Sequence, residues 1–545
     1  MGRAQGPGRS GDRSPGSRSL TTYPRILPAG DQALVLELGD AIDPALNARV
    51  RAIDEALREK PFEGFLESVP TYRSLLVFFD PARIAAAEAS AALLRCVEGA
   101  SNKQAAPPRR HVIPTRYGGE FGPDLEDVAR AKALSAEEVV RLHTSLDFTA
   151  FLLGFLPGFA YLGTLPESLA MPRRNSPRTR VPKGSVAIAG RQTGIYPAVT
   201  PGGWNLLGRA AVRLFDPHAE RPSLFAPGDL IRFAATEEWP AEESDTNAPK
   251  RPDLPVVEVL EPGLLTSVQD LGRPGFRRFG VTRGGALDEA ALVAANRALG
   301  NDDGAAGLEC TIAGPTLRFL RTTRFAITGA DLGPHLDRSD LGRWPVPLGL
   351  PVLAREGQTL SFDGRRSGCR AYIALEGGLD VPVVVASRST ELTTGFGGHA
   401  GRALRPGDVL GSLAQSQRRS AEPVKAEPAA HEVSVRVVLG PQADHFDEAA
   451  TARFLGDTWR VGATADRIGC RLEGEALKHK GAAEIVADGM LPGSIQVPPN
   501  GLPIVMLGDA PTTGGYPKIA TVLSGDLWKL AQLVPGEGRV RFQRS

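Results

Sequence analysis

The chain opens with two apolar runs, QALVLEL and SLLVFF, the second at residues 74–79, and both read as strands. Between them DPALNARVRAIDEAL carries apolar residues at helical spacing behind Asp43, a residue type that caps helix starts. Beyond this small α/β unit, strand patterns dominate. APGDLIRF (226–233), REGQTLSF (355–362), RPGDVLGS (405–412) and VPGEGRVRF (534–542) each set a glycine-centred turn before an alternating strand. Such spacing predicts the closing strands of several small β-barrels. VPKGSVAIAGRQTGIYP and LPGSIQVPPNGLP also run alike, from a Gly-Ser turn through a short strand to a Gly-x-Pro corner, so the β-rich part reads as a duplicated fold. Helices are few. SAEEVVRLHTSL opens on the capping box Ser135 to Glu138, and DEAALVAANRALG has Asp288 as its N-cap and Gly300 just past its end.

Polar, proline-punctuated stretches divide the pattern. They predict a disordered tail over 1–22, an N-terminal α/β domain over 23–105, a barrel over 106–235, a linker over 236–255, a barrel over 256–413, a linker over 414–432 and a last barrel over 433–545. The expected class is mainly β with α+β. A length of 545 residues fits several cores at roughly 100 to 200 residues per domain.

Composition narrows the chemistry. Lys plus Arg (63) and Asp plus Glu (62) nearly cancel, which argues against a nucleic-acid partner and for a small-molecule substrate. No apolar run of about 18 residues could span a bilayer, and the N-terminal segment has no apolar signal core, so no membrane role is expected. The four cysteines are scattered, as in a reducing cytoplasm. They and the eight histidines offer no metal-ligand spacing, so no metal site is expected. A Walker loop and G-x-S-x-G are absent, and no methionine adjoins a lysine, so no bound biotin is expected.

Three clusters could carry chemistry. The first joins the aromatic, glycine-broken FLLGFLPGFAYLG (151–163), the cationic MPRRNSPRTRVPKGS (171–185) and the glycine-rich IAGRQTGIYPAVTPGGWNLLGR (188–209). An aromatic floor with cationic walls suits a small carboxylate or phosphorylated compound. Phe155, Phe159, Tyr161, Gln192, Tyr196, Gly202, Gly203 and Trp204 are its binding candidates, with Tyr196 and Trp204 reading more readily as core residues than as ligand contacts. Arg178 and Arg180 are its catalytic cations, because Pro177 and Pro182 stiffen the backbone that presents them. His143 is either an acid/base group or a packed core residue, since it shares a helix face with Val139, Leu142 and Leu146. The second cluster, VQDLGRPGFRRFGVTRGGALD, offers Gln269, Asp270 and Arg273, while Asp288 already has work as a cap. The third holds Asp466, Arg467, Thr513, Gly514, Gly515, Tyr516 and Lys518, and its Gly-Gly pair followed by a lysine suits an oxyanion or phosphate.

Taken together these segments resemble a known pair. GFLPGFAYLG, PRTRVPKGSVAIAGRQTGIYP and TPGGWNLLGR resemble the B subunit of 5-oxoprolinase, and PGLLTSVQDLGRPGFRRFGV, LECTIAGPTLRF, DRIGCRLEG and TTGGYPKIATV resemble its C subunit, covering nearly everything after Tyr23. The resemblance implies three cyclophilin-like β-barrels. It also implies ATP-dependent opening of 5-oxoproline to glutamate, with Mg²⁺, in partnership with a separate protein, the A subunit of 5-oxoprolinase. The catalytic candidates are His143, Arg178, Arg180, Asp270, Asp466 and Lys518, of which Arg178, Arg180 and Lys518 would offset the charge of substrate and phosphoryl group in the chemistry that the resemblance implies. One departure is visible: Gly284 stands where the family usually has serine. The same fold serves as the carboxyltransferase part of urea carboxylase, which is the alternative, and a regulatory kinase-binding protein is a third. Self-association into a homo-oligomer is left open.

Overall fold

The structure, a computed structural model, describes residues 22–100, 107–239, 251–338, 341–413 and 430–545. The expected disordered tail and most of both expected linkers lie outside the described residues. Among the described residues no helix is long and apolar enough to cross a membrane.

The N-terminal unit is a four-stranded antiparallel sheet in the order Arg25–Pro28, Ala33–Glu37, Ser74–Phe79, Phe65–Pro70, with helices Pro44–Glu59 and Ala86–Ala100 on one face. Asp43 caps the first helix by accepting a hydrogen bond from the Leu46 N–H at 2.8 Å. Both central strands are buried at every position. The reason lies in the second face: Ala33, Val35 and Leu76 pack with Leu491 from the far end of the chain. A strand covered on both sides loses its alternation and reads as a continuous apolar run.

Two closed seven-stranded barrels follow the same plan. In the first, Leu230–Ala235 runs parallel to Arg110–Tyr117, and in the last, Arg539–Arg544 runs parallel to Glu432–Leu439. The final strand of each unit thus returns beside its first, which is the role expected of the segments that follow the Gly-centred turns. Helix Ala136–Thr144 closes one side of the first barrel, opened by the reciprocal Ser135 and Glu138 capping box.

The segment between them differs from the expected third barrel. Its strands form a seven-stranded and a five-stranded sheet around one shared core, including Val257, Val268, Cys310, Phe319, Ile327 and Ile373. The chain changes sheets at tight corners. Pro255–Glu261 and Leu265–Gln269 belong to different sheets and are joined through Gly263 at φ 70°, and Thr323–Asp331 and Pro334–Arg338 are joined through Gly333 at φ 69°. Strands that turn from one sheet into the other make a sandwich with corners and leave the ladder open.

The two halves of the chain are knitted along a long front. Arg277 pairs with Glu67 at 2.9 Å and Arg278 with Asp54 at 3.0 Å, and the Ser524 hydroxyl donates to Asp31 at 2.7 Å. A Cβ at Gly280 would stand 2.7 Å from the Leu156 carbonyl oxygen, so glycine lets the backbones of the two halves touch.

Candidate functional site

The first and last barrels face each other across a cleft of about 500 Å³. Its floor is aromatic. Phe159 stands at the centre, with ring centroids 5.4 Å from Phe155, 5.0 Å from Tyr161, 5.5 Å from Tyr196 and 5.6 Å from Trp204, all edge to face. Phe155 takes a positive φ of 64° in the tight GFLPGF loop, an unusual conformation for a bulky residue and one that concentrates at functional sites. Gly202 is required by approach: a Cβ there would lie 2.5 Å from the Tyr196 hydroxyl. Tyr72, contributed by the N-terminal unit, is fully buried beneath this floor, 6.3 Å from the Tyr161 ring, and its hydroxyl has no hydrogen-bond partner among the described residues.

The cationic wall is sorted by one carboxylate. Asp124, buried, accepts from Arg174 at 2.7 Å, from Arg178 at 2.7 and 2.9 Å, and from the Leu206 N–H at 2.7 Å. Arg178 is therefore turned onto Asp124. Arg173 lines the cleft, exposed, with no hydrogen-bond or ion-pair partner among the described residues. Its charge reaches the hydroxyls of Tyr72, Tyr161 and Tyr196. Burial pushes the Tyr196 phenol up to about 12, a shift that the Trp204 backbone and, more weakly, Arg173 oppose, so it stays a neutral donor.

The last barrel supplies the opposite wall, with Thr513, Gly514, Gly515 and Tyr516 beside Gln496, Met490, Met506 and Arg471. Thr513 is 3% exposed, and its Oγ1, although close enough to Tyr161 to act on that phenol, makes no hydrogen bond of acceptable geometry. It abuts Gly154, where a Cβ would stand 2.0 Å from that oxygen. Lys518 lies behind this wall. It is 2% exposed and its Nζ stands 3.2 Å from Asp488, which also accepts from Gln442 and from Ser74 of the N-terminal unit. Burial alone would raise the Asp488 carboxyl, but Lys518 and Ser74 outweigh it and hold it below the usual range.

Of the residues expected to bind ligand, Phe155, Phe159, Tyr161, Tyr196, Gly202, Gly203, Trp204, Thr513, Gly514, Gly515 and Tyr516 thus meet in one cleft, drawn from both halves. The remainder lie elsewhere. Gln192 is half-buried in Gln192–Ile195 and Arg180 is exposed, and neither lines the cleft. Asp466 is exposed just before the lining residues Ile468 and Gly469 and accepts from both of their N–H groups. His143 is fully buried in the first barrel, 2.8 Å from the Tyr117 hydroxyl and 2.9 Å from Thr193. Burial pulls it down to about 3, so it is neutral. Because Thr193 already donates to the Ala187 carbonyl, the proton of the imidazole belongs on Nε2.

Gln269, Asp270, Arg273 and Arg467 form a second group, in the seam between the middle sandwich and the last barrel. Asp270 accepts from the Gly272 and Arg388 N–H groups at 2.7 and 2.6 Å and from the Ser387 and Ser389 hydroxyls. Gln269 donates to Ser267 at 3.0 Å. Arg273 donates to the Ser389 carbonyl and stacks 5.0 Å over Phe396, and burial lowers its pKa. Arg467 is clamped between Asp509, at 2.8 and 3.0 Å, and Glu309, and donates to the Gly285 carbonyl at 2.7 Å. All four are buried, and among the described residues the Arg273 Nε and Nη1 and the Gln269 Oε1 make no hydrogen bond.

Sequence reasoning passed over Arg173, Arg471, Gln496 and Tyr72. Arg173 sat inside the cationic segment already singled out; Tyr72 sits in a short VPTYRS turn with no signal of its own. Among the described residues no group of three or more His, Cys, Asp or Glu could hold a metal ion.

Residues 279–544 match the family described as carboxyltransferase domain, subdomain A and B, and residues 24–225 match carboxyltransferase domain, subdomain C and D. The C subunit of 5-oxoprolinase from Escherichia coli (strain K12) is 39% identical over 283 residues, covering 52% of this chain and 89% of that protein. The B subunit of 5-oxoprolinase from Bacillus subtilis (strain 168) is 41% identical over 231 residues, covering 40% of this chain and 95% of that protein. Urea amidolyase of Saccharomyces cerevisiae (strain ATCC 204508 / S288c) is 33% identical over 303 residues, which span 52% of this chain and 16% of that protein. The crystal structure of TTHA0988 superimposes with a TM-score of 0.82 at 37% identity, covering 94% of this chain and 99% of that one.

Proposed function

The chain belongs to the carboxyltransferase-domain family of the 5-oxoprolinase B and C subunits, both present in one polypeptide, and from that premise we propose that it activates 5-oxoproline for ATP-dependent ring opening to glutamate. The A subunit of 5-oxoprolinase is the type of partner that completes the hydrolysis. The observation that carries this reading is the cleft itself: both halves contribute walls, its floor is aromatic, and Arg173 stands in it without an ion-pair partner among the described residues.

An unstrained lactam resists water because its carbonyl is resonance-stabilised and its nitrogen leaves poorly. ATP with Mg²⁺, the co-substrate, phosphorylates the amide oxygen and leaves as ADP; water adds to the activated carbon, the C–N bond breaks with the protonated nitrogen leaving as the glutamate amine, and a second water releases the phosphate to give the carboxylate. The cleft fits that chemistry in charge, since Arg173 and Arg471 line it and Glu484 is its one carboxylate among the described residues. Phe155, Phe159, Tyr161, Tyr196 and Trp204 exclude water around the small ring, while Thr513 and Gln496 offer polar atoms at its edge. Lys518 and Asp488 hold the wall from behind.

The purified chain mixed with a 5-oxoprolinase A-type protein, ATP, Mg²⁺ and 5-oxoproline is expected to form ADP and glutamate together. A second reading draws on the likeness to urea amidolyase: a carboxyltransferase acting on urea. Consumption of urea dependent on carboxybiotin, without ADP formation dependent on 5-oxoproline, would replace the first reading by the second.

A further inference from the structure

Arg173 and Arg174 line the cleft's first-barrel wall with Arg178 close by, and Asp124 takes up Arg174 and Arg178. With Arg174 and Arg178 on one buried carboxylate, the local sum is positive even before Arg173 is counted. Arg173 has no ion-pair partner among the described residues: the cleft's one carboxylate, Glu484, is exposed and not paired with it, and the aromatic floor carries no charge. The Tyr161 and Tyr196 phenols are both raised by burial and stay uncharged. Among the described residues lining the opposite wall, the one buried side-chain polar atom without a hydrogen bond of acceptable geometry is the Thr513 hydroxyl, 3% exposed and held against Gly154 near the Tyr161 phenol. A buried hydroxyl without a partner is costly, so such a group in a ligand-sized cleft points to a ligand atom. Rings fill the space between these two groups.

We infer that the cleft selects its ligand by two poles, the Arg173 guanidinium taking a carboxylate and the Thr513 hydroxyl taking the polar edge of an amide, so that it accepts a small cyclic amide acid and rejects the neutral amide. This rests on the reading of the cleft as the substrate site. It goes further in naming the carboxylate as the discriminating group and Arg173 as the residue that reads it. A neutral substrate such as urea would leave Arg173 unpaired.

The test is calorimetric titration of the full chain, with a non-hydrolysable ATP analogue present, using 5-oxoproline, 2-pyrrolidinone (the lactam without carboxylate) and proline (the carboxylate without lactam). The wild type is expected to prefer 5-oxoproline over both. Arg173→Gln should cut the preference over 2-pyrrolidinone about tenfold, the size of one charged hydrogen bond at a partly exposed site, with an unchanged melting temperature. Thr513→Val should cut the preference over proline while Thr513→Ser, which keeps the hydroxyl, preserves it. If wild type binds 5-oxoproline and Arg173→Gln keeps the full preference over 2-pyrrolidinone, the two-pole assignment fails and the substrate reading stands. If wild type binds no 5-oxoproline, both fail.

Discussion

Arg173 at the cleft and Arg467 at the seam do opposite work. Arg467 in the seam is 4% exposed, and its guanidinium nitrogens are spent on Asp509, Glu309 and the Gly285 carbonyl. Burial alone would lower its pKa, and the two carboxylates outweigh that and raise it. Arg173 at the cleft is exposed, stands beside aromatic rings and has nothing to neutralise it among the described residues. Both regions lie at junctions between units and both are rich in glycine. What separates them is the fate of the counter-charge. Where a carboxylate is folded in with the cation, the pair fixes two units together; where it is missing, the position is open to an anionic ligand.

Replacing Arg467 by methionine tests the structural end of this contrast and should have the largest effect. Glu309 and Asp509 would remain buried, Glu309 keeping the Tyr372 hydroxyl at 2.8 Å, the Leu287 N–H at 2.9 Å and Arg370 at 3.7 Å. Stripping one partner from a buried charge network costs about 3–5 kcal/mol. A strongly lowered melting temperature is expected, against none for Arg173→Gln. An Arg467 variant that melts normally but loses turnover would move the seam into the catalytic machinery.

Lys518 offers a sharper division, because it is a buried, paired cation directly behind the cleft wall. Lys518→Met leaves Asp488 with donors from Ser74, Gln442 and the Gly489 N–H, so a loss of about 3 kcal/mol is expected, at the low end for a broken buried pair. Adding Asp488→Asn should recover much of it, which a double-mutant cycle measures. Loss of 5-oxoproline-dependent ADP formation at unchanged stability would instead place the Lys518 amine on the reaction path.

The pH dependence separates the first barrel's core from both. His143 has a folded pKa of about 3 against an ordinary 6.5, so the unfolded chain takes up the proton first. The neutral histidine therefore contributes fully above pH 6.5, and that contribution is lost as pH falls toward 3. By pH 5 the loss should reach about 2 kcal/mol, seen in chemical denaturation, and His143→Gln should flatten that part of the profile. A turnover profile that followed a group near 6.5 and vanished in the same variant would restore the catalytic alternative for His143.

Much of the local architecture was legible in the sequence because its causes are local. Asp43, the Ser135 and Glu138 box, Asp288 and Gly300 stop or start helices within a few residues of themselves. GFLPGFAYLG announced an aromatic loop by composition, and its rings do meet. Partners distant along the chain were illegible. Nothing near Arg178 reveals that Asp124, 54 residues away, will claim it and leave Arg173 unpaired. Lys518 looks like a phosphate ligand after two glycines until Asp488 and Ser74 are folded against it. The open middle sandwich was equally hidden, since turn-plus-strand repeats specify strands but not whether the ladder between them closes.

The smallest expected effect is the one that best tests how far the cleft extends. Arg178 and Arg180 are neighbours on the short strand Arg178–Val181, and both were attractive as catalytic cations. Their side chains differ in one respect: Arg178 makes a bidentate pair with buried Asp124, while Arg180 is exposed, with no ion-pair partner among the described residues. Arg178→Ala leaves Asp124 supported by Arg174 and the Leu206 N–H, so about 1–2 kcal/mol of stability should be lost. Arg180→Ala should change stability by less than about 0.5 kcal/mol, the range of ordinary surface substitutions, and leave 5-oxoproline affinity intact. Thermal melting and titration on the two variants side by side decide the matter. Weakened 5-oxoproline binding in Arg180→Ala, at unchanged melting, would carry the anion-binding wall beyond the cleft's present rim and make Arg173 one of two cations that read the carboxylate.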